Sequence, residues 1–176
     1  MFMNIGLVIL SYLMGSINFA YLVARFKGVN IQDLGSGNPG SSNVLRTMGK
    51  SYAIIVLIGD ILKGFIPVII GLNYDYSLIL GFVAVIGHCF PIFYKFKGGK
   101  GVATYFGAYL AFIFNHPDAF SLDIPYFKVN LVLFFIILYF GLMKIFRISA
   151  LASLTTIILA GFTVIYSIND SFTITY

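Results

Sequence analysis

Charged side chains are scarce in this sequence: they make up 10% of its 176 residues, and none of them is a glutamate. Set against 60% hydrophobic residues and a mean hydropathy of +0.97, that scarcity excludes a water-soluble globule. Cysteine is nearly absent as well. Cys89 is the single one, so no intrachain disulfide can form, and no Cys/His cluster offers a structural zinc site. Stability has to come from helix packing. Linkers rich in proline or serine, low-complexity tails and fixed-period repeats are also missing, so residues 1–176 read as a single transmembrane domain.

What the chain does have is apolar runs, at about 5–24, 52–72, 77–94, 102–115, 126–143 and 148–166. At roughly 20 residues per span, these predict an all-α, polytopic membrane bundle of about six transmembrane helices. A net charge of +5 would suit nucleic acid in a soluble protein, but here position decides its meaning. Nine of the 11 cations fall in alternate loops: Arg25, Lys27, Arg46 and Lys50, then Lys95, Lys97 and Lys100, then Lys144 and Arg147. The positive-inside rule makes those loops, at about 25–51, 95–101 and 144–147, cytoplasmic and puts the N-terminus outside. Asp75, Asp118, Asp123 and Asp170 go to the other face, and no nucleic-acid partner is expected. Met1 to Asn4 carry no cation, so the first run reads as a retained span instead of a cleaved signal peptide.

Two cytoplasmic loops concentrate the polar chemistry. Residues 35–46, Gly-Ser-Gly-Asn-Pro-Gly-Ser-Ser-Asn-Val-Leu-Arg, join a flexible turn to hydroxyls, amides and one guanidinium. Asn43 and Arg46, three apart, are expected on one helix face, with Arg46 able to grip a phosphate through two parallel bonds. A turn and N-cap carrying a topological arginine is the plainer alternative. Residues 95–104, Lys-Phe-Lys-Gly-Gly-Lys-Gly-Val-Ala-Thr, lead into the N-terminus of the fourth span. Glycines let backbone N–H groups approach a phosphate, the helix end adds partial positive charge, and Lys100 adds a full one. The Walker spacing is absent, which argues against a nucleotide hydrolase, and contact with anionic lipid headgroups is the alternative. Within the second run, Asp60 and Lys63 are spaced to pair on one face, a structural intramembrane pair. His88 reads as a packing histidine and His116 as a surface residue.

Three stretches then coincide in order: 35–46, Gly-Asp-Ile-Leu-Lys-Gly at 59–64, and Gly-His-Cys-Phe-Pro at 87–91 running on to Thr104. Together they closely resemble the bacterial acyl-phosphate:glycerol-3-phosphate acyltransferases of the PlsY type, from about Gly15 to Ser153. The resemblance implies an inner-membrane enzyme, its site facing the cytoplasm, that acylates the 1-hydroxyl of glycerol 3-phosphate from acyl phosphate in phospholipid synthesis. It implies no metal and no cofactor, and a partner enzyme that produces acyl phosphate. Residue by residue, it puts catalytic roles on Ser36, Arg46 and Lys100, and substrate binding on Asn38, Asn43, Gly98, Gly99, Gly101 and Thr104. The family's third motif, a His with an Asn three residues on, after a further helix near the C-terminus, has no counterpart in residues 1–176. The chain is therefore expected to be a shortened member. Ser41-Ser42 stands where the family usually has Ala-Thr, and Ala150 where many members have serine.

Acyl phosphate is already activated, so the protein's expected task is to align a hydroxyl with the carbonyl carbon and to stabilise an oxyanion and a leaving phosphate. No Ser-His-Asp arrangement or His-x4-Asp signature is present, which leaves a substrate phosphate oxygen as the base and Ser36 as an orienting group. Two other functions fit parts of the pattern: a transporter or channel for a phosphorylated metabolite, and an inactive truncated paralogue.

Overall fold

The computed structural model describes residues 4–74, 76–115, 127–146 and 149–173. Its helices are α1 (Ile5–Ser16), α2 (Phe19–Phe26), α3 (Ser41–Met48), α4 (Lys50–Ile70), α5 (Ser77–Cys89), α6 (Val102–Asn115), α7 (Phe127–Phe146) and α8 (Ser149–Thr173), with short 3₁₀ turns at Ile31–Asp33 and Ile92–Tyr94. Every apolar run of the sequence falls on a helix or a helix pair. By length and composition α4 and the segment Ser77–Tyr94 are long enough to cross a bilayer, and α1 with α2 makes a third if that bent pair is one span. Their outward faces are apolar: Ile54, Ile55, Leu57, Ile58 and Leu62 of α4 are all exposed, which water would penalise and lipid does not. His116, Asp75, Asp118 and Asp123 lie outside the described residues.

The first run is broken where the sequence predicts one helix. α1 and α2 meet at a 41° bend across Ile17 and Asn18, both with extended backbone. Asn18 makes the break, because its side-chain oxygen accepts from the N–H groups of Ala20 (3.1 Å) and Tyr21 (3.2 Å), capping α2 as a new helix. A break inside an apolar segment frees backbone carbonyls that lipid cannot satisfy. Lys63 of α4 answers one of them, donating from Nζ to the Ile17 carbonyl at 2.7 Å.

The chain divides into two compact units, 1–111 and 112–176. In the first, small residues let backbones approach closely. A Cβ on Gly87 of α5 would strike the Tyr12 carbonyl of α1, and one on Gly15 would strike the Ala84 backbone in return. Gly64 and Gly107 play the same part between α4 and α6, against the backbones of Thr104 and Ile61. Around α2, the core gathers Ala20, Val23, Ala24, Ile31, Val44 and Val56. In the second unit α7 and α8 pack on one another, with Phe135, Ala152 and Ala160 buried.

Candidate active site

The first loop is shaped by one amide. Asn43, fully buried in the first turns of α3, accepts from the Ser36 N–H at 3.0 Å and donates to the Leu34 carbonyl at 2.9 Å. It therefore ties the 34–36 turn to the helix, and its side chain is committed to the loop's own backbone. Arg46, three residues on in the same helix, is exposed. Gly35 and Gly37 carry φ of +56° and +70°, and a Cβ on Gly35 would meet the Asn43 side chain, which explains glycine on both sides of Ser36. Ser36 itself is exposed at the tip, and Asn38 is half-buried beside Gly40. Gly40 caps α3 without any side-chain bond, so no side chain occupies the helix's first N–H groups.

The second loop lies on the end of α5. Gly99 N–H donates to the His88 carbonyl at 3.2 Å, and a Cβ on Gly98 would collide with the carbonyls of His88 and Cys89. Gly101, with φ +74°, turns the chain into α6, whose first turn has no acidic residue. Lys100 is exposed, while Thr104 is fully buried, with its hydroxyl unpartnered among the described residues.

The two loops meet. A Cβ on Gly99 would sit 3.2 Å from the Pro39 carbonyl, and Asn18 Nδ2 holds that same carbonyl at 3.3 Å. Tyr21 links them a second time, accepting from Gln32 Nε2 at 2.7 Å and donating to the Lys97 carbonyl at 3.0 Å, with its ring stacked on Tyr94 at 4.3 Å. Arg46 and Lys100 are near enough to feel each other. Partial burial first, and the Arg46 charge second, hold the Lys100 ammonium below the ordinary lysine value. A site that crowds two cations on exposed, glycine-rich backbone is suited to anions. Asp60 and Lys63 lie 2.9 Å apart and almost fully buried, and His88 Nδ1 is 3.5 Å from the same Asp60 oxygen. Sequence reasoning missed the linking roles of Asn18, Tyr21 and His88. Their only signal is a polar group set within an apolar run.

Among the described residues, no group of three His, Cys, Asp or Glu side chains could hold a metal ion. The comparisons with known proteins give one answer. The glycerol-3-phosphate acyltransferase from Aquifex aeolicus is 46% identical over 110 residues, covering 60% of this chain and 57% of its own length. The one from Endomicrobium trichonymphae is 47% identical over 129 residues, 70% of this chain and 64% of its own. The match thus spans about three-fifths of the length of these curated relatives. A Francisella tularensis relative of the same name is 40% identical over 171 residues, 94% of this chain and 76% of that one. Two crystal structures of PlsY (YgiH), an integral membrane glycerol 3-phosphate acyltransferase, superpose on 96% of this chain at 32% identity. They are its glycerol 3-phosphate form (TM-score 0.71, 90% of that chain) and its lysophosphatidic acid form (TM-score 0.69, 89%). The glycerol-3-phosphate acyltransferase family model matches residues 5–176, and with relatives at 40–47% identity this all-helical membrane chain belongs to that family.

Proposed function

We propose that the protein transfers a fatty acyl group from acyl phosphate to the 1-hydroxyl of glycerol 3-phosphate, giving 1-acyl-glycerol 3-phosphate and phosphate. The observation that carries this reading is the convergence of the two glycine-rich loops at Gly99 and Pro39, with the Arg46 charge acting on Lys100. Two phosphates must be held, one on each substrate; Arg46 in the last turn of α3 and Lys100 just before α6 supply the charge, and the glycine-rich backbone supplies donors. The acyl chain lies among apolar helix faces, and the bilayer serves as its solvent.

In the reaction the glycerol hydroxyl oxygen attacks the acyl carbonyl carbon and the carbon–oxygen bond to phosphate breaks. The hydroxyl proton passes to a phosphate oxygen, and inorganic phosphate leaves. Arg46 and Lys100 offset charge on the carbonyl oxygen and on the departing phosphate, while Ser36, exposed between two glycines, orients a substrate. Asn38, Gly98, Gly99, Gly101 and Thr104 bind substrate. Asn43 serves this site by holding Ser36 through its N–H. The cationic loops face the cytoplasm of the inner membrane and the N-terminus lies outside, as the distribution of Lys and Arg supports. Acyl phosphate comes from a separate enzyme.

The test is release of phosphate and formation of the acylated product by purified residues 1–176 in lipid nanodiscs supplied with both substrates. Arg46→Ala and Ser36→Ala are each expected to lose at least about 100-fold in turnover, or roughly 2.7 kcal/mol of transition-state stabilisation. Near-wild-type rates in either folded variant would remove that residue from the site.

A further inference from the structure

The proposed reaction leaves one set of buried polar groups unused, and it is continuous with the site. Asp60 and Lys63 are 2% and 4% exposed, 2.9 Å apart on α4, and Lys63 also holds the Ile17 carbonyl at the break between α1 and α2. Asp60 has a second neighbour in His88 Nδ1, at 3.5 Å, from the last turn of α5. The ring thus turns Nδ1 toward the Asp60 carboxylate and its other nitrogen, Nε2, away from it. That second nitrogen is where the phosphate loop lies: a Cβ on Gly99 would run into His88 Nε2, and next to it would stand the Pro39 carbonyl of the first loop. One imidazole therefore lies beside the ion pair at one edge and beside Gly99 of the second loop at the other.

A pair that served only to neutralise an intramembrane lysine would need no histidine, because Lys63 already balances Asp60. The Gly99 N–H bond to the His88 carbonyl and the close approach of Gly98 to the same helix end hold the loop through the α5 backbone. The ring adds a side-chain support under Gly99. We propose that His88 is a positioning residue for the phosphate loop 98–101, its ring oriented by the Asp60–Lys63 pair, so that the loop's placement beside Pro39 depends on the Asp60–His88 contact. This rests on the reading of the two loops as the glycerol 3-phosphate site.

The experiment measures KM and kcat for each substrate in nanodiscs, with melting temperature alongside. Asp60→Asn, which keeps the shape and removes the carboxylate, is expected to raise KM for glycerol 3-phosphate about tenfold and to lower kcat, through the displaced Lys100, by less than that, leaving KM for acyl phosphate within about threefold. His88→Ala should do the same or more, and His88→Gln, which retains a polar group near the Nε2 position, should recover part of the loss. Because Asp60→Asn leaves Lys63 without its counter-ion, the double variant Asp60→Asn/Lys63→Gln, which drops the charge and keeps a donor for the Ile17 carbonyl, is a second route to a folded chain lacking the carboxylate. It is expected to show the same selective rise in KM. An unchanged KM for glycerol 3-phosphate in folded Asp60→Asn and His88→Ala overturns the proposal. So does a uniform loss in all parameters that follows the melting temperature, since that is what packing alone predicts. Wild-type chain without turnover counts against the acyltransferase reading, and binding of radiolabelled glycerol 3-phosphate then decides the positioning role. Binding at least fivefold weaker in Asp60→Asn supports it, and no binding by wild type removes both.

Discussion

Lys100 shows how a single residue couples the site to pH. Burial and the Arg46 charge both disfavour its ammonium, so in the folded chain it releases its proton below 10.5, the ordinary lysine value. A bound phosphate reverses the second effect by placing negative charge beside both cations. The alkaline limb of kcat/KM, which reports the free enzyme, is therefore expected to have its midpoint below 10.5, and the limb of kcat, which reports the complex, to lie higher. Lys100→Arg should push both limbs up, because a guanidinium does not titrate in this range. A pH–rate profile of the two proteins checks this, and coincident alkaline limbs would take Lys100 out of the phosphate site. For folding the sign is the opposite of a salt bridge. The unfolded chain holds this proton more tightly, so the ligand-free protein gains stability as pH rises from the folded value toward 10.5. Asn43 acts through geometry instead. Asn43→Ala leaves the Ser36 N–H and the Leu34 carbonyl without their partner, a loss of about 0.5–1.5 kcal/mol for each part-buried bond. The melting temperature should fall by several degrees and turnover should fall with it, whereas a stable variant with full activity would show that the turn holds its own shape.

At the scale of helices, hydropathy reads well because the bilayer imposes one rule: apolar runs long enough to span become helices. The runs at 52–72 and 102–115 fall on α4 (Lys50–Ile70) and α6 (Val102–Asn115) with little error at the ends. The run at 5–24 conceals a break because a hydropathy average does not register one amide. Asn18 contributes a single polar residue to that stretch, yet it caps α2 and holds the Pro39 carbonyl. The clue in the sequence is the triplet Ser16-Ile17-Asn18, two polar residues flanking the bend, and its meaning depends on Lys63, more than forty residues away, satisfying the carbonyl the bend exposes. Asn18→Ala removes the cap and the contact with the first loop together. It should cost about 0.5–2 kcal/mol as a cap alone. Thermal unfolding in detergent measures that loss, and a larger fall in kcat/KM than in stability is expected because Pro39 stands against Gly99.

At the scale of the whole molecule, the chemistry of each loop was readable and their convergence was not. Glycines, Arg46 and Lys100 advertise phosphate binding wherever they stand, but nothing in residues 35–46 or 95–104 says that they meet. That follows from α2, which carries Tyr21 between them, and from α5, whose last turn carries His88 beneath the second loop. Tyr21 gives the sharpest test of whether convergence matters to function apart from stability. Its hydroxyl joins Gln32 to the Lys97 carbonyl, whereas its ring packs on Tyr94. Tyr21→Phe keeps the ring and removes the link. Both bonds lie in exposed surroundings, so water replaces them and stability should change by less than about 1 kcal/mol. The loops, however, lose the strut that fixes their separation, and a displacement of about 1 Å in a positioned reactant can cost tens to a hundredfold in rate. The expected result is a fall of about tenfold in kcat/KM for glycerol 3-phosphate at an unchanged melting temperature. Activity within twofold of wild type would mean that the Asn18–Pro39 bond and the His88 contact hold the loops together without help from Tyr21.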